Sequence, residues 1–237
     1  MEPMRINKYL AQNGYASRRE IDKLIERNEI KVNGEPVSPG QKVTEKDKIT
    51  IKGKPFEKPK FEKKVYFLLN KPKGVLSASK DDRGRKTVVD LIDTTERLYP
   101  IGRLDSETEG AIILTNDGDI FNKVIHPKGE VYKEYYAVLR GEIKDKELSR
   151  VAKGVILEDG LTLPARTKIL KRDQGKSEVT ISIREGRNRQ VRRMFDAVKC
   201  PVIYLRRDAI GKIRIGNLEV GKYRKLTSEE IKYLKSL

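Results

Sequence analysis

The apolar positions of the chain fall into two rhythms, one of period near 3.6 and one of period two. In "RINKYLAQNG", Ile6, Leu10 and Ala11 share one helical face, and Gly14 closes the turn. "SRREIDKLIERN" opens with Ser17 as N-cap and Glu20 three residues later, a capping-box spacing, and carries Ile21, Leu24 and Ile25 as its stripe. "IKVNGEPV" then predicts strand, Asn33-Gly34 turn and strand, because Asn-Gly suits a type I′ turn. "KITI" alternates and predicts another strand. Farther on, "VYFLLN" and "AIILT" are apolar on both faces, as central strands are. "KEYYAVLRG" and "SEVTISIREG" alternate as strands. "DIFNKVIH" places Phe121, Val124 and Ile125 at helical spacing, and "RQVRRMFDAV" does so with Val191, Met194, Phe195 and Val198. "TSEEIKYLKSL" repeats the capping-box spacing with Thr227 and Glu230.

No regular βαβ alternation links these elements, so the pattern predicts an α+β protein with a mixed sheet. A small helix–helix–β module over 1–52 precedes a larger domain over 65–237. Between them, "GKPFEKPKFEKK" (53–64) is rich in Lys and Pro and predicts an extended, mobile linker. There is no Walker loop, dinucleotide fingerprint or solenoid repeat.

Charge narrows the partner. The 237 residues carry 52 Lys+Arg against 35 Asp+Glu, a net charge of +17. The surplus is spread over both modules and predicts a polyanion, most simply nucleic acid. Arg18 and Arg19 sit in the first turn of the second helix, where cations oppose the helix dipole, so phosphate contact is the reason for them. One His and one Cys exclude an internal disulfide and a Cys/His zinc site of the usual kind. His126 precedes Pro127 at a helix end and is expected to cap it; Cys200 is expected to be buried. No apolar run approaches the length that spans a bilayer, which predicts a soluble, cytoplasmic protein.

Three stretches hold candidate chemistry. "LNKPKG" (69–74) is a strand entering a basic turn. In "GRLDSETEG" (102–110), Arg103 and Asp105 share a face of extended chain, so an ion pair between them is one reading and a reactive carboxylate another. "IREGRNRQVRRMF" sets Arg184, Arg187, Arg189, Arg192 and Arg193 around a strand–helix junction, a site for phosphate or carboxylate.

Two resemblances follow. Arg5, Leu10, Gly14, "ASRR" and "IKVNGEPV" resemble the S4 RNA-binding domain, with Asn28 where that family usually has Gly. "LNKPKG", "GRLDSETEG", "KEYYAV" and "EGRNRQVRRMF" resemble, in order and spacing, the motifs of ribosomal RNA pseudouridine synthases of the RsuA/RluB type. That resemblance implies a catalytic Asp105, with Tyr135 beside the target uracil and Arg192 paired with the Asp. It implies that Arg103 displaces the target nucleotide, leaving Glu107 and Glu109 as surface charges. The RNA-binding set is then Arg5, Arg18, Arg19, Lys71, Arg103, Arg187, Arg189, Gln190 and Arg193. The implied reaction breaks the N1–C1′ bond of uridine and rejoins the base through C5, with no metal, cofactor or obligatory protein partner, in a monomer. "SASKDDRGRKTVVDLI" points to large-subunit rRNA. Small-subunit rRNA, or a non-catalytic S4-type RNA-binding protein of ribosome assembly, stands as the alternative.

Overall fold

The computed structural model describes residues 2–57, 64–125 and 131–237. The helix cap expected at His126, the side chain of Ile125 and linker residues 58–63 lie outside them. The chain divides into two compact units, Met1–Lys63 and Lys64–Leu237.

In the first unit, α1 (Ile6–Gln12) and α2 (Arg18–Glu26) bury Ile6, Leu10, Ile21, Leu24 and Ile25. Ser17 accepts a hydrogen bond from the Glu20 N–H at 3.2 Å, so half of the expected capping box is formed. Asn28 takes the left-handed conformation (φ 55°) that Gly would take. Asn33 and Gly34 are both at positive φ, as a type I′ turn requires. The turn joins β2 (Ile30–Val32) to β3 (Glu35–Pro36), and β2 also pairs with β5 (Ile49–Ile51). A small ladder joins β1 (Met4–Arg5) to β4 (Lys42–Val43). The expected linker begins later than its composition suggests. Lys54–Pro55 form β6, paired with β5, and Phe56 packs edge-on against Tyr9 and Tyr15. Burying that ring and the main-chain bond from Phe56 N–H to Ile49 C=O (2.8 Å) outweighs the Lys/Pro composition.

The second unit is built on one nine-stranded sheet. Its main path uses β13 (Arg166–Asp173), β14 (Lys176–Ile183), β10 (Lys133–Arg140), β15 (Val202–Ile210), β9 (Glu109–Thr115), β7 (Tyr66–Lys71) and β17 (Tyr223–Lys225), in that spatial order. Two short strands complete it: β8 (Tyr99–Ile101) pairs with β9, and β16 (Ile213–Arg214) with β15. All these pairings are antiparallel except β9 with β15, so the sheet is mixed and mostly antiparallel. Alternate residues feed two cores, as the period of a strand dictates. Phe67, Leu69, Ile112, Leu114, Ala137 and Leu205 face one core, where α4 (Asp145–Lys153) and α5 (Gln190–Asp196) cover the sheet. Leu68, Ala111 and Ile113 face the other, beneath α3 (Gly118–Ile125) and α6 (Ser228–Ser236). In α6 the capping box of Thr227 and Glu230 is complete.

The parallel seam depends on Gly110. In register Gly110 lies opposite Arg207, and a Cβ at 110 would stand 2.2 Å from the Arg207 carbonyl oxygen. Gly110 also adopts φ +112°. Gly110→Ala is expected to destabilise the unit by roughly 3–5 kcal/mol, combining overpacking with backbone strain. Gly102→Ala is the control, because Gly102 shares a positive φ (+78°) but has open space around it. Its cost should stay at about 1–2 kcal/mol, from strain alone. Urea midpoints of the two variants check the difference.

Candidate active site

The loop between β8 and β9 is fastened from both sides. The Ser77 hydroxyl donates to the Leu104 carbonyl (2.8 Å) and accepts from the Leu104 N–H (3.0 Å). The Ser106 carbonyl accepts from the Gly74 N–H (2.9 Å) and from Lys71 Nζ (3.4 Å). Between these fixed neighbours lies Asp105, whose own carbonyl accepts from the Thr108 N–H (3.0 Å). Among the described residues the Asp105 carboxylate has no hydrogen-bond or ion-pair partner. It lines a cleft of about 1220 Å³ together with Tyr135, Leu205, Arg207 and Lys133. Arg103 is exposed at the same cleft and forms no pair with Asp105, so the i, i+2 ion pair is not made. Glu107 is exposed, as expected. Glu109 is not a free surface charge, because it accepts the Tyr204 hydroxyl at 2.6 Å.

One row across the sheet forms the floor. Tyr135 on β10 lies opposite Arg207 on β15, Arg207 opposite Gly110 on β9, and Gly110 opposite Lys71 on β7. Residues opposite one another share a face, so Tyr135, Arg207 and Lys71 all point to the side of the cleft. Tyr135 is 8% exposed, and its hydroxyl has no protein partner among the described residues. Lys71 is fully buried, with Nζ donating to Pro72 C=O at 2.9 Å. Lys71 is thus placed inside the fold and not at an exposed position: its stem completes the core while its ammonium binds the Asp105 loop. Burial pulls its pKa down to about 8, against the attraction of Asp105, Glu109 and Glu107. Burial, helped by Arg207, brings Lys133 to about 8 as well.

The Arg-rich segment divides into holders and free groups. Arg187 donates to the carbonyls of Asp159, Gly160 and Leu161 and pairs with Glu185. Arg193 binds Asp159 through both Nη atoms at 2.9 Å. Gln190 is 3% exposed and accepts from the Arg187 N–H at 3.1 Å. Arg187 and Arg193 clamp the hairpin of β11 (Ile156–Leu157) and β12 (Gly160–Leu161) onto the start of α5, and Gln190 joins Arg187 to Glu185, so the polar groups of all three are already used inside the fold. Arg189 remains exposed, at left-handed φ (47°) where the chain enters α5. Arg192 makes no ion pair with Asp105. Its Nη atoms donate to Val202 C=O (3.1 Å) and Glu107 C=O (3.3 Å), and Asp105 acts on it only through its field. In the first unit Arg5, Arg18 and Arg19 are exposed.

Among the described residues no group of three His, Cys, Asp or Glu side chains could hold a metal, and no helix is long and apolar enough to cross a membrane. Cys200 is buried, as expected.

The family model for RNA pseudouridylate synthase matches residues 65–197, and that for the S4 domain matches residues 4–49. The chain belongs to the RNA pseudouridine synthases and carries an S4 domain, so it isomerises uridine in RNA. It is 46% identical to ribosomal large subunit pseudouridine synthase B of Bacillus subtilis (strain 168), over 98% of this chain and 96% of that protein. It is 42% identical to an uncharacterized RNA pseudouridine synthase of Aquifex aeolicus (strain VF5), over 99% and 94%. A crystal structure of a pseudouridylate synthase superposes with a TM-score of 0.71 at 32% identity, covering 98% of this chain and 99% of that one.

The buried lysines set a pH test. In the folded protein Lys133 titrates near 8, against 10.5 when unperturbed, so the unfolded chain holds its proton more tightly between those values. Folding is therefore penalised below pH 8, and the penalty fades as pH rises to about 10.5. Lys133→Met should raise the urea midpoint at pH 7, and the gain should vanish by about pH 10.5.

Proposed function

We propose that this enzyme converts a specific uridine of large-subunit rRNA to pseudouridine, with Asp105 as the catalytic carboxylate. The observation that carries the assignment is the Asp105 loop. Its main chain is fastened at Leu104 and Ser106, while the carboxylate faces the cleft without a partner. A group bonded into the protein would have to break those bonds before reacting. The large-subunit substrate rests on the likeness to the Bacillus subtilis protein, which is a ribosomal large subunit pseudouridine synthase by name.

The reaction needs a displaced base, a carboxylate and a surface that tolerates charge. Unstacking the target costs a few kcal/mol. Arg103 and Arg189, exposed at the cleft, offset that cost through phosphate contacts and by filling the vacated stack. Tyr135 lies under the uracil, and its hydroxyl assists the final loss of the C5 proton. Asp105 adds to C1′ or C6, or removes the C2′ proton. Arg192 is a positioning residue in this scheme: it ties α5 to the loop at Glu107 and contributes field rather than contact. The S4 domain supplies affinity through Arg5, Arg18 and Arg19, and residues beyond β6 join it to the catalytic unit. The protein works as a cytoplasmic monomer without a required protein partner.

Asp105→Asn should abolish product while RNA binding stays within about twofold. Carbodiimide mapping of rRNA from cells with and without the protein locates the uridine. A site in small-subunit RNA would revise the substrate, and unchanged product from Asp105→Asn would remove Asp105 from the chemistry. Arg18→Glu with Arg19→Glu should weaken RNA binding and flatten its salt dependence, since each lost phosphate contact lowers the slope by about one.

A further inference from the structure

Arg207 holds more hydrogen-bonding capacity than the protein uses. It is 4% exposed, and among the described residues its Nε–H alone of five N–H groups has a partner, the Ala111 carbonyl at 2.7 Å. Nη2 is buried with none. A buried guanidinium without a counter-ion is costly unless something else meets it. Among the described residues no carboxylate is bonded to it. Lys71 and Lys133 add two more cations to the same face, and each is held at lowered pKa by its burial and by Arg207. The floor therefore carries surplus positive charge, with open donors, beside the Tyr135 ring.

We propose that Arg207 is a catalytic residue that donates hydrogen bonds to a carbonyl oxygen of the uracil while the base is detached from the ribose. This rests on the cleft around Asp105 being the active site. When the C1′–N1 bond breaks, its electron pair leaves with the base. The uracil becomes an anion whose charge spreads from N1 onto O2 and O4. C1′ then bonds an Asp105 oxygen, or C2′ gives its proton to Asp105. In the route through C6, attack by Asp105 likewise drives charge onto a base oxygen. All three routes thus place negative charge on a carbonyl oxygen of the base, and Arg207 is the donor placed to meet it. Depth argues for the base over a phosphate. Arg103 and Arg189 are exposed at the cleft, as phosphate contacts require, whereas Arg207 lies nearly buried between Tyr135 and Gly110 on the floor.

The experiment compares parent, Arg207→Gln and Arg207→Lys under single-turnover conditions. The substrates are large-subunit rRNA transcripts made with uridine or with 5-fluorouridine, whose fluorine eases departure of the base as an anion. Nuclease digests report pseudouridine from uridine and, from 5-fluorouridine, whose C5 has no proton to lose after rejoining, the C5-linked nucleoside with water added at C6. Arg207→Gln should slow uridine rearrangement about 100-fold, the effect of removing one oxyanion donor. RNA affinity and melting temperature should stay near those of the parent. On 5-fluorouridine the loss should shrink to about tenfold, because less charge stabilisation is required. Arg207→Lys should recover part of the rate on uridine. An equal loss on both substrates makes Arg207 structural and overturns the proposal, as does a rate within threefold of the parent. A loss of affinity with an unchanged rate assigns it to phosphate instead. If Arg207→Gln melts early, Arg207→Lys carries the same two-substrate comparison. An inactive parent defeats the active-site reading itself, whereas an active parent with an indifferent Arg207 defeats only this inference.

Discussion

The catalytic unit depends on a two-residue contact between β9 and β15. To one side of it, β7, β9 and β17 carry the Asp105 loop and Lys71; to the other, β10, β13, β14 and β15 carry Tyr135, Lys133 and Arg207. Each block is antiparallel, and among the described strands the two blocks are joined in the sheet by the parallel pairing of Glu109–Gly110 with Arg206–Arg207. Hydrogen-bonded strands run roughly 4.8 Å apart, and the seam leaves no room for a side chain at 110. Gly110 is thus what brings a carboxylate from one block opposite a tyrosine and an arginine from the other. Arg207 seals the same seam with its side chain, through the bond from Nε–H to the Ala111 carbonyl.

Basic residues serve two separate ends. Arg187 and Arg193 bind carbonyls and carboxylates within the fold, where the planar guanidinium fork suits several acceptors at once. Asp159, held well below the usual carboxylate range by Arg193, is the anchor of that cluster. Arg103 and Arg189 at the cleft, and Arg18 and Arg19 in the S4 domain, stay exposed. Net charge therefore overstates the surface left for RNA. The usable part is the subset that the fold leaves without acceptors.

Local patterns were readable where one residue's neighbours in sequence are also its neighbours in space. The stripes of α1, α2 and α5, the Asn33-Gly34 turn and the caps at Ser17 and Thr227 are of this kind. Strand β13 escaped because six of its eight residues are exposed on an edge strand, which leaves little apolar alternation to read. The site was legible as motifs but not as contacts. Lys71 sits in a basic turn and looked like an RNA ligand, yet the pairing of β7 with β9 buries it. Arg187 and Arg193 found acceptors in a hairpin some thirty residues upstream, which no local spacing reveals, and Gln190 is bonded to Arg187 and Glu185. Arg207 drew no attention beside its neighbour Arg206. The two differ only in face: Arg206 turns to Asp208 on the open side, Arg207 to the cleft.

The absence of a direct Asp105–Arg192 pair has a chemical logic. A bidentate ion pair would hold the carboxylate ionised but occupy the oxygens that must reach the sugar or the base. Here the charge is supported at longer range by Lys71 and Arg192, both fastened to backbone carbonyls. Neither group competes for the lone pairs of the carboxylate. Orientation comes from main-chain bonds at Leu104 and Ser106, which leave the side chain free. The same separation applies to Arg207, anchored through Nε and open through the rest of its guanidinium. Anchoring by backbone and activation by field let both proposed reactive groups face the substrate from opposite blocks of one sheet without neutralising each other first.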